Sequence, residues 1–235
     1  MNLVKNCDSW LEPGQHRPLA SRCAEAAIVN EPTRLIPGPT WRECLPVLDA
    51  DGVAGIPTDT VYGIAALPGS ARAIDRIYEA KGRPPEKALP MLVSSLVAVQ
   101  RIARLSPIAA RLCTAFWPGA LTVVVQAAPS FNSPALADDG SVAVRMPASA
   151  LALGIIAAAG GVLAVTSANL SGLPPATTAG EVLEQLSGWI DVVVDGGVCA
   201  GGIASTIVRA FAGEAEILRE GAISADRIQA SIRSC

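Results

Sequence analysis

The sequence predicts an α/β fold in which one sheet is layered with helices. Short apolar runs typical of buried strands alternate along the chain with helical patterns, and this alternation favours that fold class. The 235 residues are 51% hydrophobic and only 17% charged, which is enough apolar material for a sizeable core. Since aromatic residues make up only 4%, we expect a core of Ala, Val, Leu and Ile.

The predicted helices begin at polar N-cap residues or carry an apolar stripe at helical spacing. Thr40 with Glu43 has the spacing of a capping box, as does Thr178 with Glu181. Ser106 precedes a proline, which is favoured in the first helical turn. In chain order the predicted helices are a short one at 22–29, then 40–51, 70–80, 94–103, 106–116 and 148–159, and two that begin at 178 and 224.

The predicted strands are short apolar or β-branched runs bounded by turn residues. Gly160 and Gly161, for example, end the helix before the run Val162–Val165. In chain order the predicted strands are 53–56, 89–93, 121–126, 141–145, 162–165, 192–194, 205–208 and 216–218. Residues 1–38 are rich in Pro and Gly with weak periodicity, and we interpret them as an N-terminal extension without an assigned role. Residues 39–235 are predicted to form one domain.

Composition argues against several classes of protein. The net charge of −3 provides no global basic field for non-specific binding to nucleic acid. No apolar run reaches the roughly 18 to 20 residues that span a bilayer, and the N-terminus lacks the apolar region of a secretory signal. Six cysteines without CxxC spacing and a single His argue against a zinc site. We therefore expect reduced thiols and a cytoplasmic protein with no membrane association.

Five polar islands beside apolar runs carry the chemistry of the chain. They supply cations, hydroxyls and an amide, which is the chemistry of a nucleotide or anion pocket. The islands are PTDTVYG at 57–63, KGRP at 81–84, RMP at 145–147, TSANLSG at 166–172 and STIV at 205–208.

Each island also has an ordinary structural interpretation. Lys81, Arg83 and Lys87 either surround an anion or form a solvated basic loop. Arg145 either points into a crevice at a strand end or makes a structural salt bridge, and Ser167 and Asn169 either bind a ligand or form a turn.

The Asp59–Thr60 pair and the Gly-rich segment 196–202 leave further alternatives open. Asp59 either binds a metal or forms a turn, and Thr60 either binds a small substrate or caps a helix. The 196–202 segment is either a plain turn or a lid over the site. Walker and GxGxxG loops are absent from the sequence, and nothing supports a Ser-His-Asp nucleophile. Catalysis is therefore expected to rest on positioning and charge neutralisation.

The islands, in this order, resemble those of the YrdC-like family. FWPGALT at 116–122 and ILREG at 217–221 extend the resemblance, which covers about residues 40 to 223. It implies a twisted open mixed sheet with flanking helices and a positively charged cleft. It also implies a short-form enzyme that condenses L-threonine, bicarbonate and ATP to threonylcarbamoyl-AMP and pyrophosphate. A partner threonylcarbamoyl transferase would then modify adenosine 37 of ANN-decoding tRNAs.

The resemblance also implies the roles of particular residues. Threonine-binding positions fall on Thr60, Arg145 and Ser205. ATP-binding positions fall on Arg83, Lys87, Ser141, Ser167, Asn169 and Arg219. Lys81 and Arg83 are the implied catalytic cations, while Mg2+ would bridge the phosphates without a dedicated protein site. Two alternatives remain open at this point: a carbamoyl-adenylate-forming relative, and a tRNA or double-stranded-RNA binding module without turnover.

Overall fold

The computed structural model describes residues 32–82, 88–211 and 213–233, so the helix predicted at 22–29 lies outside the described residues. A 3-10 helix at Gly38–Cys44 precedes the first α-helix. The α-helices are α1 Leu45–Asp49, α2 Ala71–Lys81, α3 Leu96–Ile102, α4 Pro107–Phe116, α5 Ala150–Ala158, α6 Ala179–Leu186 and α7 Ala225–Arg233. The strands are β1 Arg34–Pro37, β2 Ala54–Ile56, β3 Gly63–Ala66, β4 Met91–Val93, β5 Ala103–Arg104, β6 Leu121–Ala127, β7 Ser141–Arg145, β8 Val162–Ser167, β9 Val192–Asp195, β10 Thr206–Phe211 and β11 Glu214–Arg219.

The described strands form one open mixed sheet in the order β1-β9-β2-β3-β8-β4-β7-β6-β10-β11, with the short β5 paired to β6. Four neighbouring pairs are parallel, namely β1 with β9, β9 with β2, β4 with β7, and β6 with β10. The remaining neighbours run antiparallel. The predicted α/β class, with a twisted open mixed sheet and flanking helices, is confirmed.

Helices cover the two faces of this sheet unequally. Helices α2, α3, α4, α6 and α7 pack on the first face, whose core runs along the sheet from β9 to β10. On the second face, α1, α5 and the 3-10 helix cover the half formed by β1, β9, β2, β3, β8 and β4. The other half of that face, along β7, β6 and β10, carries a small cluster around Val124, Ala143 and Ile207. A ligand can therefore reach the sheet where none of the described helices covers it.

Helix boundaries follow the local sequence closely. Five helices begin at a Ser or Thr whose side-chain oxygen accepts a hydrogen bond from the N–H three residues later. These N-cap residues are Ser70, Ser95, Ser106, Ser149 and Thr178. Helix α2 ends at Gly82, whose φ of 58° lies in the left-handed region that glycine adopts without a steric penalty. The structure thus confirms these helices to within one or two residues of their predicted starts.

Several local predictions differ from the structure. The helix predicted at 40–51 is instead the 3-10 helix followed by the short α1. Thr40 has non-helical backbone angles and its hydroxyl donates to the Pro37 carbonyl, so the predicted capping box is wrong. Glu43 instead accepts a 2.8 Å hydrogen bond from Arg34. Strand β1 lies within the predicted N-terminal extension and pairs with β9, so the sheet begins before residue 38. Strand β3 was not predicted, because Gly63 and the two alanines of GIAA give little β signal.

Candidate functional site

A cavity of about 360 Å3 opens on the second face, at the border between its covered and uncovered halves. This volume lies within the roughly 300–1,000 Å3 typical of small-molecule sites. Its described lining consists of Thr58, Thr60, Val61, Tyr62, Gly63, Ala88, Pro90, Leu92, Thr122, Arg145, Val165, Thr166, Ser167, Asn169, Gly172, Leu173, Pro175, Ala204, Ser205, Ile207 and Arg219. Among these described residues, the charged side chains are two arginines and no acid, so the cavity favours an anionic ligand.

Arg145 is held at the carboxyl end of β7 by three different groups. Its Nε donates to the Gly119 carbonyl at 3.0 Å, and Nη1 donates to the Thr60 hydroxyl at 3.0 Å. Nη2 donates to the Asp59 carboxylate at 2.6 Å. Burial lowers the pKa of Arg145 and the nearby Arg219 adds to that lowering, whereas Asp59 raises it. The guanidinium keeps its charge, because arginine is not deprotonated in proteins.

Hydroxyl groups surround this guanidinium. Thr58 donates to the Val61 carbonyl at 2.6 Å. Because its single hydrogen is used there, Thr60 must be the donor in the 3.1 Å contact between the two threonine hydroxyls. On the opposite wall the Thr122 and Ser205 hydroxyls lie 2.7 Å apart. These side chains form a polar lining in which one cation and several hydroxyls converge.

Arg219 reaches the same cavity from the end of β11. Its Nη2 donates to the Ser205 carbonyl at 2.8 Å. The chain after it is held by buried Thr206, whose hydroxyl donates to the Ile223 carbonyl at 2.6 Å and accepts from the N–H groups of Gly221 and Ile223. A Cβ at Gly221 would lie 2.2 Å from the Ala204 carbonyl oxygen, so only glycine permits this close approach. Thr206 thereby keeps Arg219 against Ser205.

Lys81 lies behind the 167–173 loop and is not among the residues that line the cavity. Its Nζ contacts the carbonyl oxygens of Ser167 at 2.7 Å and Asn169 at 2.8 Å, and the Asn169 Oδ1 at 3.2 Å. The Asn169 amide also donates to the carbonyls of Leu170 and Leu173. The prediction that Lys81 belongs to a polar Pro-rich loop is wrong: it is the last residue of α2 and is 2% exposed.

The structure brings most of the predicted site residues together. Thr60, Arg145 and Ser205, predicted for threonine, all line the cavity. Of the residues predicted for ATP, Ser167, Asn169 and Arg219 line it as well. Arg83 and Lys87 lie outside the described residues.

Ser141 differs from the other predicted residues. It lies on β7, four residues before Arg145, but is not part of the lining. It is 1% exposed, and its hydroxyl has no hydrogen-bond partner among the described residues.

Tyr62 is a site residue that the sequence reasoning did not single out. It is among the residues that line the cavity, and its hydroxyl donates to the Gly197 carbonyl at 2.8 Å and accepts from the Gly196 N–H at 3.1 Å. Burial raises its pKa to about 12. Together with the Gly202 N–H, which donates to the Thr60 carbonyl, Tyr62 fixes the segment 196–203, called the strap below, against the 57–63 loop. The available signal was the position of Tyr62 within the PTDTVYG island.

Two further features of the described residues bear on the chemistry. No group of three or more His, Cys, Asp or Glu side chains in the described ranges is arranged to hold a metal ion. Within the same ranges, every helix is too short or too polar to cross a membrane.

Comparison with known proteins gives a consistent result. The family model Sua5_yciO_yrdC, described as "Telomere recombination", matches residues 46–221. The threonylcarbamoyl-AMP synthase of Bacillus subtilis is 37% identical over 196 residues, which cover 83% of this chain and 57% of that protein. The Pyrococcus abyssi protein of the same name is 35% identical over 178 residues, which cover 75% of this chain and 52% of that protein.

A solved structure agrees with these relatives. The crystal structure of P. abyssi Sua5 complexed with L-threonine superposes with a TM-score of 0.79 at 31% identity, covering 86% of this chain and 61% of the other. The chain therefore spans a little over half the length of the curated relatives described here.

Proposed function

The chain belongs to the Sua5/YciO/YrdC family, and on that premise we propose that it condenses L-threonine, bicarbonate and ATP to threonylcarbamoyl-AMP with release of pyrophosphate. The observation that carries this proposal is the convergence of Thr60, Arg145 and Ser205 in one cavity with Ser167 and Arg219. Relatives named threonylcarbamoyl-AMP synthase, and a relative crystallised with L-threonine, support it.

The threonine carboxylate is proposed to bind Arg145. A guanidinium presents five N–H groups in a planar fork, a geometry that matches a carboxylate in bidentate fashion. The contacts to Gly119, Asp59 and Thr60 use three of these, which leaves two for a ligand. The hydroxyls of Thr60 and Ser205 lie where the polar groups of a small amino acid need partners.

The triphosphate is proposed to contact Ser167 and Arg219, two further residues of the lining. Arg219 offers a positive charge to phosphate and to the leaving pyrophosphate, which stabilises charge that develops in the transition state. Arg83 and Lys87 are proposed to add to this field, as is Lys81 from behind the loop. Because Lys81 holds two carbonyls and the Asn169 side chain, we expect it to act mainly by orienting Ser167 and Asn169.

Mg2+ is proposed to arrive as a complex with ATP. The described lining offers hydroxyls, an amide and two guanidiniums but no carboxylate, which does not fit a site where the protein itself ligates Mg2+. It fits a cation that is held by phosphate oxygens and waters. When bound, the metal would offset phosphate charge.

The product is proposed to pass to a partner threonylcarbamoyl transferase for modification of tRNA. A cytoplasmic location is part of the same proposal. The described cysteines Cys44, Cys113 and Cys199 are free thiols, which is typical of a reducing compartment and supports that location.

Pyrophosphate release from ATP and bicarbonate, with and without L-threonine, tests the proposal. We expect release that requires threonine and is much weaker with serine or glycine. Arg145→Lys should raise the KM for threonine about tenfold, because a lysine cannot replace the planar fork. Arg101→Lys is the matched control, since Arg101 is exposed and lies outside the cavity lining.

Two other results would contradict the proposal. Release that ignores threonine but responds to carbamoyl phosphate would favour the carbamoyl-adenylate alternative. RNA binding with a steep salt dependence and no release under either condition would favour a binding module without turnover.

A further inference from the structure

Asp59 is the acid that faces Arg145, yet it does not line the cavity. Its Oδ1 accepts from Arg145 Nη2 at 2.6 Å, and the two side chains are 15% and 8% exposed. It therefore contacts the guanidinium without being one of the residues that line the ligand space. This arrangement differs from a surface salt bridge, because both groups are removed from most of the solvent.

The guanidinium needs a third support. Gly119 holds Nε and Thr60 holds Nη1, but neither of them contacts Nη2. Arg219 lies close enough for its charge to act on Arg145, so the two cations repel each other across the cavity. Asp59 accepts from Nη2 and so holds that end of the guanidinium in place against this repulsion.

The backbone of Asp59 is fixed independently of its side chain. The Thr60 N–H donates to the Thr58 hydroxyl, and the Gly202 N–H donates to the Thr60 carbonyl. A Cβ at Gly201 would come within 2.7 Å of the Asp59 carbonyl oxygen, so the strap packs directly on this peptide. A change of the Asp59 side chain should therefore alter the support of Arg145 without displacing the loop.

We propose that Asp59 is a positioning residue, which holds the Nη2 end of Arg145 so that its two remaining N–H groups are presented together to the carboxylate of the amino-acid substrate. This inference rests on the proposed function, because it takes that carboxylate as the ligand of Arg145. Asp59 itself contacts no reacting atom. Its contribution is the orientation of the fork, and a hydrogen-bond acceptor without charge at the same position preserves that orientation.

Calorimetric binding of two probes tests this directly. L-Threonine carries the carboxylate, whereas L-threoninol keeps the amine, hydroxyl and methyl groups but replaces the carboxylate with an alcohol. The Kd of L-threoninol divided by the Kd of L-threonine measures how much the carboxylate contributes to binding. We expect Asp59→Ala to lower this ratio about tenfold, because a hydrogen bond to a charged group is lost and the fork is released. Asp59→Asn should keep the ratio, since its amide oxygen still accepts from Nη2.

Thermal unfolding of both variants separates positioning from stability. A purely structural role would lower Tm and weaken both probes alike, leaving the ratio unchanged. An unchanged ratio in Asp59→Ala overturns the inference, as does a ratio in Asp59→Asn that falls as far as in Asp59→Ala. If the wild-type protein binds neither probe, or does not distinguish them, the proposed threonine site itself fails and the inference falls with it.

Discussion

Replacing Lys81 with Met should destabilise the fold. In the sequence Lys81 lies beside a Pro-rich segment, but in the structure its side chain is buried. The Met side chain keeps the length of lysine but provides no donors. The Ser167 and Asn169 carbonyls, together with the Asn169 side-chain oxygen, then lose the cation that holds them at 2.7, 2.8 and 3.2 Å. Since Lys81 is 2% exposed, little water can replace it.

The size of the effect follows from these contacts. Two short hydrogen bonds to a charged donor contribute about 1.5 to 3 kcal/mol each, and removing the buried charge offsets part of that sum. We therefore expect the free energy of unfolding to fall by about 3 kcal/mol. For a domain of this size the fall corresponds to a decrease in Tm of about 6 to 12 °C.

Urea denaturation monitored by far-UV circular dichroism measures this change, and Arg72→Met is its control. Arg72 is an exposed cation on the same helix, so its replacement should alter the free energy of unfolding by less than about 0.5 kcal/mol. A loss for Lys81→Met as small as that of the control would refute the idea that Lys81 holds the 167–173 loop. Faster hydrogen exchange in that loop would localise the effect.

Three other perturbations probe the supports of the cavity. Thr206→Val removes the hydroxyl that makes three buried hydrogen bonds, so the free energy of unfolding should fall by about 2 kcal/mol, whereas Thr206→Ser should stay near wild type; equal losses in urea denaturation would contradict this. Tyr62→Phe removes both hydrogen bonds to the start of the strap, so amide exchange at 196–203 should accelerate, and unchanged exchange would contradict its role. Burial raises the pKa of Cys44 to about 11 and that of Cys113 to about 12, so above about pH 9 the unfolded chain loses thiol protons that the folded chain keeps. Stability should therefore fall as pH rises from about 9 to 11, and replacing both cysteines with alanine should flatten this dependence in urea titrations.

Elements whose boundaries are set by local chemistry were predictable from the sequence. Ser106 followed by proline gives a helix start that needs no tertiary information, and the structure begins α4 at Pro107. Thr40 shows the limit of this reasoning. Its spacing to Glu43 fits a capping box, but Glu43 pairs with Arg34 on β1, a contact that depends on the strand pairing of the whole sheet. Strand β3 depends on its neighbours in the same way.

The site was predictable as a set of residues rather than as a geometry. The motifs indicated Thr60, Arg145 and Ser205, and the sheet topology places all three in one cavity. The orientation of Lys81 was not predictable, because whether a lysine at a helix end points to solvent or to buried carbonyls depends on the chain that packs there. Here the packing chain is the 167–173 loop, which is about 86 residues away in sequence.

The location of the cavity follows from the alternation of side chains along β6 and β7. Val123 and Val125 of β6, and Val142 and Val144 of β7, point to the helix-covered first face and hold the core. The alternate positions carry residues such as Thr122 and Arg145, which face the half of the second face that no helix of the described ranges covers. A one-residue slip in register would exchange these sets and bury the arginine under helices. The apolar alternation that stabilises the sheet therefore also directs the Arg145 side chain at the end of β7. Asp59 then holds the guanidinium in that orientation.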